Sequence, residues 1–408
     1  MNGTYDAIVV GARCAGSPTA MLLAQTGYRV LLVDKARFPS NMPLSTHVVQ
    51  APALARLQRW GLLDQVVASG CPPLETYDFD FGPFVIKGPP KPLNGIGHAY
   101  APRRFVLDDI LVKAAVAAGA ELRDGFHVDE LLRDEGRVVG IEGHARRGGP
   151  VRERARVVIG ADGMNSLVAR AVQAPKYNAK PLLQGAIFSY WSGVQARSFE
   201  VHVGDRRVAF AIPTNDGLTL VASAWPASEL PAARQNIEAS YLSTMREVSL
   251  DLYERTLAGR REEGFIVGAT ANYFRKPYGP GWALAGDAGY LKDPVTASGI
   301  TDGFRDAELL SDALDAGFSG RQDLETALAA FEARRNEQSA AMYEFTTQLA
   351  TQEPPPPEMQ QLLGAVSRSA EASSAFLGVI AQTVPVQEFF APANVERVMA
   401  AAPSAPDV

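Results

Sequence analysis

The chain opens with a short apolar run, Tyr5–Val10 (YDAIVV), that stops at a glycine. A helical pattern follows from about Ala15 to Thr26, Gly27 closes it, and a second apolar run, Tyr28–Asp34 (YRVLLVD), comes next. Strand, tight turn, helix and strand within about 30 residues predict a βαβ unit with parallel strands. Residues 47–69 carry helical spacing, whereas residues 72–92 are proline-rich and break into short apolar pieces that predict hairpins or loops. A second helix is expected over about Arg104–Ala118, then strands at Glu121–Gly125, Phe126–Leu132, Arg137–Ile141 and Ala155–Ile159. From Pro181 to Trp225 the runs LLQGAIFSYW, SFEVHV, RVAFAIP and LTLVASAW follow one another with turn residues between them. Consecutive strands without intervening helices predict an antiparallel sheet. Helix is expected again over about Arg234–Arg260, strand near Phe265, and mostly helix after Gly299, with a break at Pro354–Pro357.

This order predicts an α/β protein, a Rossmann-like nucleotide-binding domain interleaved with an antiparallel-sheet domain and closed by a helical C-terminus. The nucleotide-binding domain is expected in three pieces, 1–75, 101–178 and 276–330. Residues 179–275 form the sheet domain, to which residues 76–100 are an insertion; helices fill 331–400 and a loose tail 401–408. No internal repeat is present.

Three glycine-bearing segments stand where predicted strands end: Gly11-Ala12-Arg13-Cys14-Ala15-Gly16, Gly160-Ala161-Asp162-Gly163 and Gly286-Asp287-Ala288-Gly289. At the first, the chain must turn sharply from strand into helix so that backbone N–H groups at the helix N-terminus face a pyrophosphate. Gly11 permits the turn, Cys14 and Ala15 lie within it, and Gly16 lets the helix pack closely on the strand. Pro18 falls in the first helical turn, where its missing N–H costs little. Asp34, 23 residues after Gly11, ends the second strand with Lys35 beside it, a place where a carboxylate accepts from ribose hydroxyls. Arg13 stands where the usual pattern has its second glycine. Its side chain either projects away or lies beside the phosphates as a charge partner, and we expect the second. Ser17-Pro18 replaces the Lys-Ser/Thr of a phosphate-binding P-loop, which excludes that reading. A helix N-terminus lowers a thiol pKa, yet filling the turn with a small side chain is the expected role of Cys14.

Asp162 ends the strand of the second segment, with Ser166 and Arg170 on the helix that follows; a turn-forming aspartate is the alternative. Met164 and Leu167 are expected to pack. In the third, Asp287 can hydrogen-bond a polyol hydroxyl and Pro294 ends a loop. Gly299-Ile300 opens a helix whose N–H groups favour negative charge at N1/O2 of a reduced flavin. Each part alone also fits a bland turn. Their order, spacing and context together point to one site for flavin adenine dinucleotide (FAD).

A chain of 408 residues, 47% hydrophobic, can bury a large core. A net charge of −6 with mixed signs and no long basic run argues against a nucleic-acid surface. Cys14 and Cys71 are the only cysteines, so no disulfide framework is expected. No charged-then-apolar leader precedes Tyr5 and no apolar run approaches the ~20 residues that span a bilayer, so a soluble cytoplasmic protein is expected.

On these residues the chain resembles the class A flavoprotein monooxygenase and geranylgeranyl-reductase superfamily, typified by para-hydroxybenzoate hydroxylase, along nearly its whole length. The C-terminal helices are its least diagnostic part. The resemblance implies a middle Asp-Gly motif that contacts FAD and NAD(P)H indirectly and a late Gly-Asp motif at the flavin ribitol. It also implies an FAD-side arginine at the start of a helix, matched by Arg104 in Arg104-Phe105-Val106-Leu107-Asp108, and a backbone contact to adenine near Val128. The third segment departs from the pattern. Gly286-Asp287-Ala288-Gly289-Tyr290 stands where monooxygenases often have Gly-Asp-Ala-Ala-His, and Asp293-Pro294 with Gly299-Ile300 looks more like the reductase and halogenase branches. Flavin halogenases often carry Trp-x-Trp-x-Ile-Pro; the aligned Val208-Ala209-Phe210-Ala211-Ile212-Pro213 has neither tryptophan, which disfavours halogenation.

The activity this implies first is hydroxylation of a small apolar or aromatic organic substrate, with NAD(P)H as electron donor and O2 activated as a flavin hydroperoxide. The cofactor supplies the hard chemistry; the protein orients and excludes water. The alternative is FAD-dependent reduction of carbon–carbon double bonds, with a flavin halogenase or a non-catalytic flavin sensor further behind. No second Gly-x-Gly-x-x-Gly βαβ unit is present, which argues against two-dinucleotide disulfide reductases. The antiparallel sheet is expected to roof the flavin. Period-two alternation puts Ala186, Phe188 and Tyr190 on one face and Ile187, Ser189 and Trp191 on the other, with Val208, Phe210 and Ile212 on a further face. Phe188, Tyr190 and Phe210 are candidate pocket residues, although alternation alone leaves the pocket face open. His47 and Tyr290 are the candidate catalytic proton handlers. His98, His127, His144 and His202 lack metal-ligand spacing, so no metal site is expected.

Overall fold

The strand Tyr5–Val10 pairs in parallel with Val30–Asp34 on one side and Val151–Gly160 on the other. Trp282–Leu284 and Glu121–Asp124 extend this parallel sheet at its two ends. The structure, a computed structural model, describes residues 4–196 and 198–401. The strands read as continuous apolar runs because both faces are covered. Ala7, Val9, Leu32 and Ile159 pack under the helices Gly16–Gln25, Arg104–Ala117 and Gly299–Phe318. Ile8, Leu31, Val33 and Val158 face the hairpin formed by Phe126–Asp134 and Arg137–Ala145, and the helix Leu167–Ala171.

The second sheet is antiparallel through Gln184–Ser192, Leu218–Pro226, Arg207–Pro213 and Phe199–Gly204. Tyr77–Asp80 adds in parallel to Phe199–Gly204, and Val85–Gly88 returns beside it, so the proline-rich segment supplies an edge of this sheet. Its two faces have different partners. Ile187, Trp191, Val221 and Trp225 are covered by the helices Ile237–Val248 and Leu250–Ala258. Phe188, Tyr190 and Leu220 meet Leu44, which belongs to the loop after the second parallel strand. Helices Pro357–Ser367 and Ala370–Ile380 pack against Tyr77, Phe79 and Ile86.

Two expected helices are broken. Residues 47–69 form Ala51–Arg59 and Leu63–Ala68, separated at Gly61 with φ 72°. The helical spacing ran across the gap because Leu54, Leu57, Leu62 and Val66 all reach the same core. Residues 234–260 divide at Ser249, whose extended backbone ends one helix while its hydroxyl accepts from Leu252 N–H to cap the next. No helix among the described residues is long and apolar enough to cross a membrane. Residues 402–408 of the expected tail lie outside the described residues.

Gly11 and Gly27 separate two effects of adding a side chain. Both have positive φ, 103° and 92°, but a Cβ on Gly11 would lie 2.4 Å from Ala161 O, whereas Gly27 has nothing within 4 Å. Gly27→Ala should cost about 1–2 kcal/mol of left-handed strain, and Gly11→Ala clearly more. Urea unfolding midpoints check this; equal shifts would contradict the close approach.

Candidate active site

Three adjacent parallel strands end at Val10, Gly160 and Leu284 and deliver the glycine segments side by side. Ala161 N–H donates to Val10 O at 2.8 Å and Ala285 N–H to Gly160 O at 3.0 Å. The seams exclude side chains: a Cβ on Gly16 would lie 1.7 Å from Gly11 O, and one on Gly286 2.7 Å from Ala15 Cβ. Buried Asp34 braces the first turn, accepting from Ala12 N–H at Oδ2 and from Ala36 N–H at Oδ1, both at 2.8 Å. Lys35 is exposed.

These features fit FAD. The cradle is backbone rather than side chain, as close approach to a pyrophosphate requires. The helix Gly299–Phe318 starts at an exposed glycine without a side-chain cap. Two buried hydroxyls in the first turns of the flanking helices, Ser17 Oγ and Thr301 Oγ1, have no protein partner. Such groups need a hydrogen-bonding ligand or water.

Charge beside the cradle is organised by Asp108, a fully buried residue that the sequence reading did not single out. Its carboxylate accepts from Arg104 Nη2 at 2.9 Å, from Arg13 Nη1 at 2.6 Å and from the Cys14 thiol at 3.4 Å. Arg13 also donates to Ser40 Oγ at 3.0 Å and lies over the Phe38 ring. Its guanidinium is thus turned to Asp108 and the 38–41 loop. Two guanidiniums share one carboxylate, which leaves one net positive charge beside the turn, the sign a pyrophosphate needs. Burial works against the Arg104 charge, but Asp108 outweighs it and holds the guanidinium protonated. Burial pushes the Cys14 thiol far up, so it stays neutral and unreactive. The third segment is fixed by a buried ion chain: Lys292 pairs with Asp302, Asp302 with Arg305 at 2.8 Å, Arg305 with Asp306 at 2.9 Å, and Asp306 accepts from Gly286 N–H at 3.1 Å. Burial raises the half-buried Asp287 carboxyl and Arg104 lowers it.

The sheet meets this cradle through His47 and Tyr190. His47 lies just before the helix Ala51–Arg59 with φ 66° and is buried. Its Nε2 shares a hydrogen bond with the Tyr190 hydroxyl, and the two rings stack with centroids 5.7 Å apart. Arg103 sits 3.9 Å from the Tyr190 ring centroid and pairs with Glu263 at 2.5 Å. Burial holds the His47 imidazole well below the ordinary histidine range, and the Arg104 and Arg103 guanidiniums push the same way. Burial pushes the Tyr190 hydroxyl up. Both groups are therefore neutral near pH 7. His47 Nδ1 has no protein partner. Phe188 packs edge-on to Tyr190 at 6.4 Å, and Phe210 joins the same apolar cluster.

Tyr290 packs among Phe274 and Tyr343, its hydroxyl buried without a partner. Val128 is buried in its strand opposite Gly143. Asp162 accepts from Leu167 N–H at 2.6 Å at the start of the short helix, and its other carboxylate oxygen is buried without a protein partner. Pro294 and Gly299 are exposed and Ile300 is buried. Next to Pro294, Asp293 accepts from Gln184 Nε2 at 2.7 Å and Val295 N–H at 3.0 Å, while Gln352 Nε2 donates to Gln184 Oε1 at 2.8 Å. Its second oxygen has no partner, and burial pushes its carboxyl up to about 7. The Arg104–Asp108 pair had a sequence signal, the i,i+4 spacing of opposite charges on a helix. Arg103–Glu263 and Asp293–Gln184–Gln352 had none.

The chain matches the FAD binding domain family over residues 4–346. It belongs to that family. It is 32% identical to FixC of Salmonella typhi over 177 residues, 42% of this chain and 40% of that protein, so the match spans about two fifths of the FixC length. It is 27% identical to digeranylgeranylglycerophospholipid reductase 1 of Methanopyrus kandleri over 306 residues, 72% of this chain and 76% of that protein. Among solved structures it resembles the myxobacterial chondrochloren halogenase CndH, with a TM-score of 0.78, 22% identity and coverage of 98% of this chain and 96% of the other. It also resembles PqsL of Pseudomonas aeruginosa, described as a probable FAD-dependent monooxygenase, with a TM-score of 0.67, 20% identity and coverage of 92% and 99%. At these identities the two structures show a shared fold.

Asp287→Ala should weaken FAD retention roughly tenfold, equivalent to ~1.4 kcal/mol for one hydrogen bond. Flavin content after dialysis measures it, and unchanged occupancy would count against the ribitol contact. Asp293 sets a pH dependence. Its folded-state pKa, about 7, lies above the ordinary 3.8, so the folded chain holds a proton that the unfolded chain releases between those values. Its contribution to stability is complete below pH ~4 and falls by up to about 1.4 kcal/mol per pH unit towards pH 7. Asp293→Asn should therefore gain stability relative to wild type as pH rises from 4 to 7; a constant difference across that range would refute the buried proton.

Proposed function

We propose that this protein is an FAD-dependent oxidoreductase, a monooxygenase that uses NAD(P)H and O2 to hydroxylate a small organic substrate with an apolar or aromatic body and one polar group. The observation that carries the reading is the His47–Tyr190 pair set against Phe188 and Phe210. The glycine segments, Asp34, Arg104 and Asp287 would hold FAD, which when bound would supply the electron transfer and the activation of oxygen. The residues of the chain do the rest. The aromatic face gives an apolar substrate a dry place to lie. The neutral pair handles a proton in either tautomer: Nε2–H donates to the Tyr190 oxygen when Nδ1 accepts from a substrate hydroxyl, and the Tyr190 O–H donates to Nε2 when Nδ1 carries the proton. Arg103, fixed by Glu263, holds the Tyr190 ring in register.

A second reading, saturation of a carbon–carbon double bond, is favoured by the similarity to digeranylgeranylglycerophospholipid reductase 1 over 72% of the chain. Oxygen separates the two. Following NAD(P)H oxidation by the holoenzyme across a panel of phenols, aromatic acids and prenyl compounds, with and without O2, should give substrate-stimulated turnover and an oxygenated product in air. A saturated product formed anaerobically would overturn the monooxygenase reading. Tyr190→Phe should lower kcat/KM by about 10²–10⁴ with FAD content unchanged; wild-type turnover in that variant would remove the pair from the mechanism.

A further inference from the structure

The hairpin Phe126–Asp134/Arg137–Ala145 places His127 directly opposite His144 across the strand pair. The ladder changes register between Val128 and Glu130, which makes Asp129 the extra residue of a β-bulge. Bulges re-aim side chains, and this one turns a carboxylate towards both imidazoles. Asp129 Oδ1 lies 3.2 Å from His127 Nδ1, and Oδ2 lies 2.6 Å from His144 Nδ1. One ligand atom from each of the three residues falls within 4.8 Å of the other two. The backbone beneath is tightly fitted. Val128 points into the core, and a Cβ on Gly143 would lie 2.3 Å from His127 O. His127 and Asp129 are exposed and His144 half-exposed, so a hydrated ion can reach them.

We propose that His127, Asp129 and His144 form a surface site for one divalent transition-metal ion, typified by Zn2+, that ties the two strands of this hairpin together. Two imidazoles and one carboxylate suit Zn2+, Ni2+ or Cu2+, whereas Mg2+ and Ca2+ prefer all-oxygen sites. With one ligand atom from each residue within 4.8 Å of the others, small side-chain rotations bring all three onto an ion with bonds of ~2.0–2.1 Å. Three protein ligands leave the remaining positions to water. This proposal departs from the expectation, drawn from spacing alone, of no metal site. The 16 residues between them carry no ligand spacing because the pair meets across a hairpin rather than along a helix. The site does not depend on the proposed activity.

The test titrates Zn2+ into chelator-treated, untagged holoenzyme by calorimetry, with Mg2+ as the control ion and thermal unfolding as a second readout. We expect one saturable Zn2+ site, a higher unfolding midpoint with Zn2+ and no response to Mg2+. His144→Gln and Asp129→Asn should each weaken Zn2+ binding by more than about tenfold, the scale on which even supporting partners of metal ligands act. His98→Gln should leave it unchanged. Retained FAD in every variant shows that folding is intact. Absence of saturable Zn2+ binding, or equal affinity in His144→Gln, would overturn the site.

Discussion

At the ends of three neighbouring strands, backbone lies against backbone. Gly11 faces the Ala161 carbonyl and Gly16 faces that of Gly11, at distances no Cβ could share, and Gly286 abuts the Ala15 Cβ. Most of what surrounds the candidate site follows from that fit. Because the strands end together, the helix Gly16–Gln25 begins behind the first turn with its amide groups directed towards the cradle. The same fit brings Asp287 and the start of Gly299–Phe318 alongside it, since Gly286 and Gly303 both approach the 14–15 segment closely. Backbone that makes its own hydrogen bonds and carries no side chain is stiff, and stiffness is what a dinucleotide cradle requires.

Buried charge then fixes the parts that backbone alone would leave free. Ion pairs of this depth are weak sources of stability, because desolvation offsets most of the attraction. Their value lies in position. Asp108 ties the first turn to the helix Arg104–Ala117 through two arginines, and Asp306 ties Gly286 to Arg305 and onward to Lys292. Removal of one member would leave the others buried and unpaired, so each network locks its geometry more strongly than its net energy suggests. The His47–Tyr190 pair is uncharged, and that difference suits groups that hold or pass a proton rather than anchor a phosphate.

How much was legible in the sequence follows from the range of each interaction. The α/β class, the parallel strands and the antiparallel sheet were readable because apolar runs and their alternation are local properties. Gly11, Gly16 and Gly286 were readable for the same reason, since a sharp turn or a missing side chain shows in the residue itself. The break at Gly61 was missed because apolar spacing continued across it into one core. Arg13 could be identified as a departure, but its partner Asp108 lies 95 residues away and no local pattern announces it. The meeting of His47 with Tyr190, 143 residues apart, is equally a product of the fold. Alternation divided the sheet into faces, yet only packing told them apart: helices cover Trp191, and the loop carrying Leu44 and His47 covers Tyr190.

The central claim is that the three glycine segments build one cradle for a single FAD. Its most direct test is the flavin bound by the purified protein, released by denaturation, identified by chromatography and quantified by absorbance against protein. The account predicts FAD at one molecule per chain. Purified protein that neither carries FAD nor takes it up on reconstitution, or that carries FMN in its place, would contradict it.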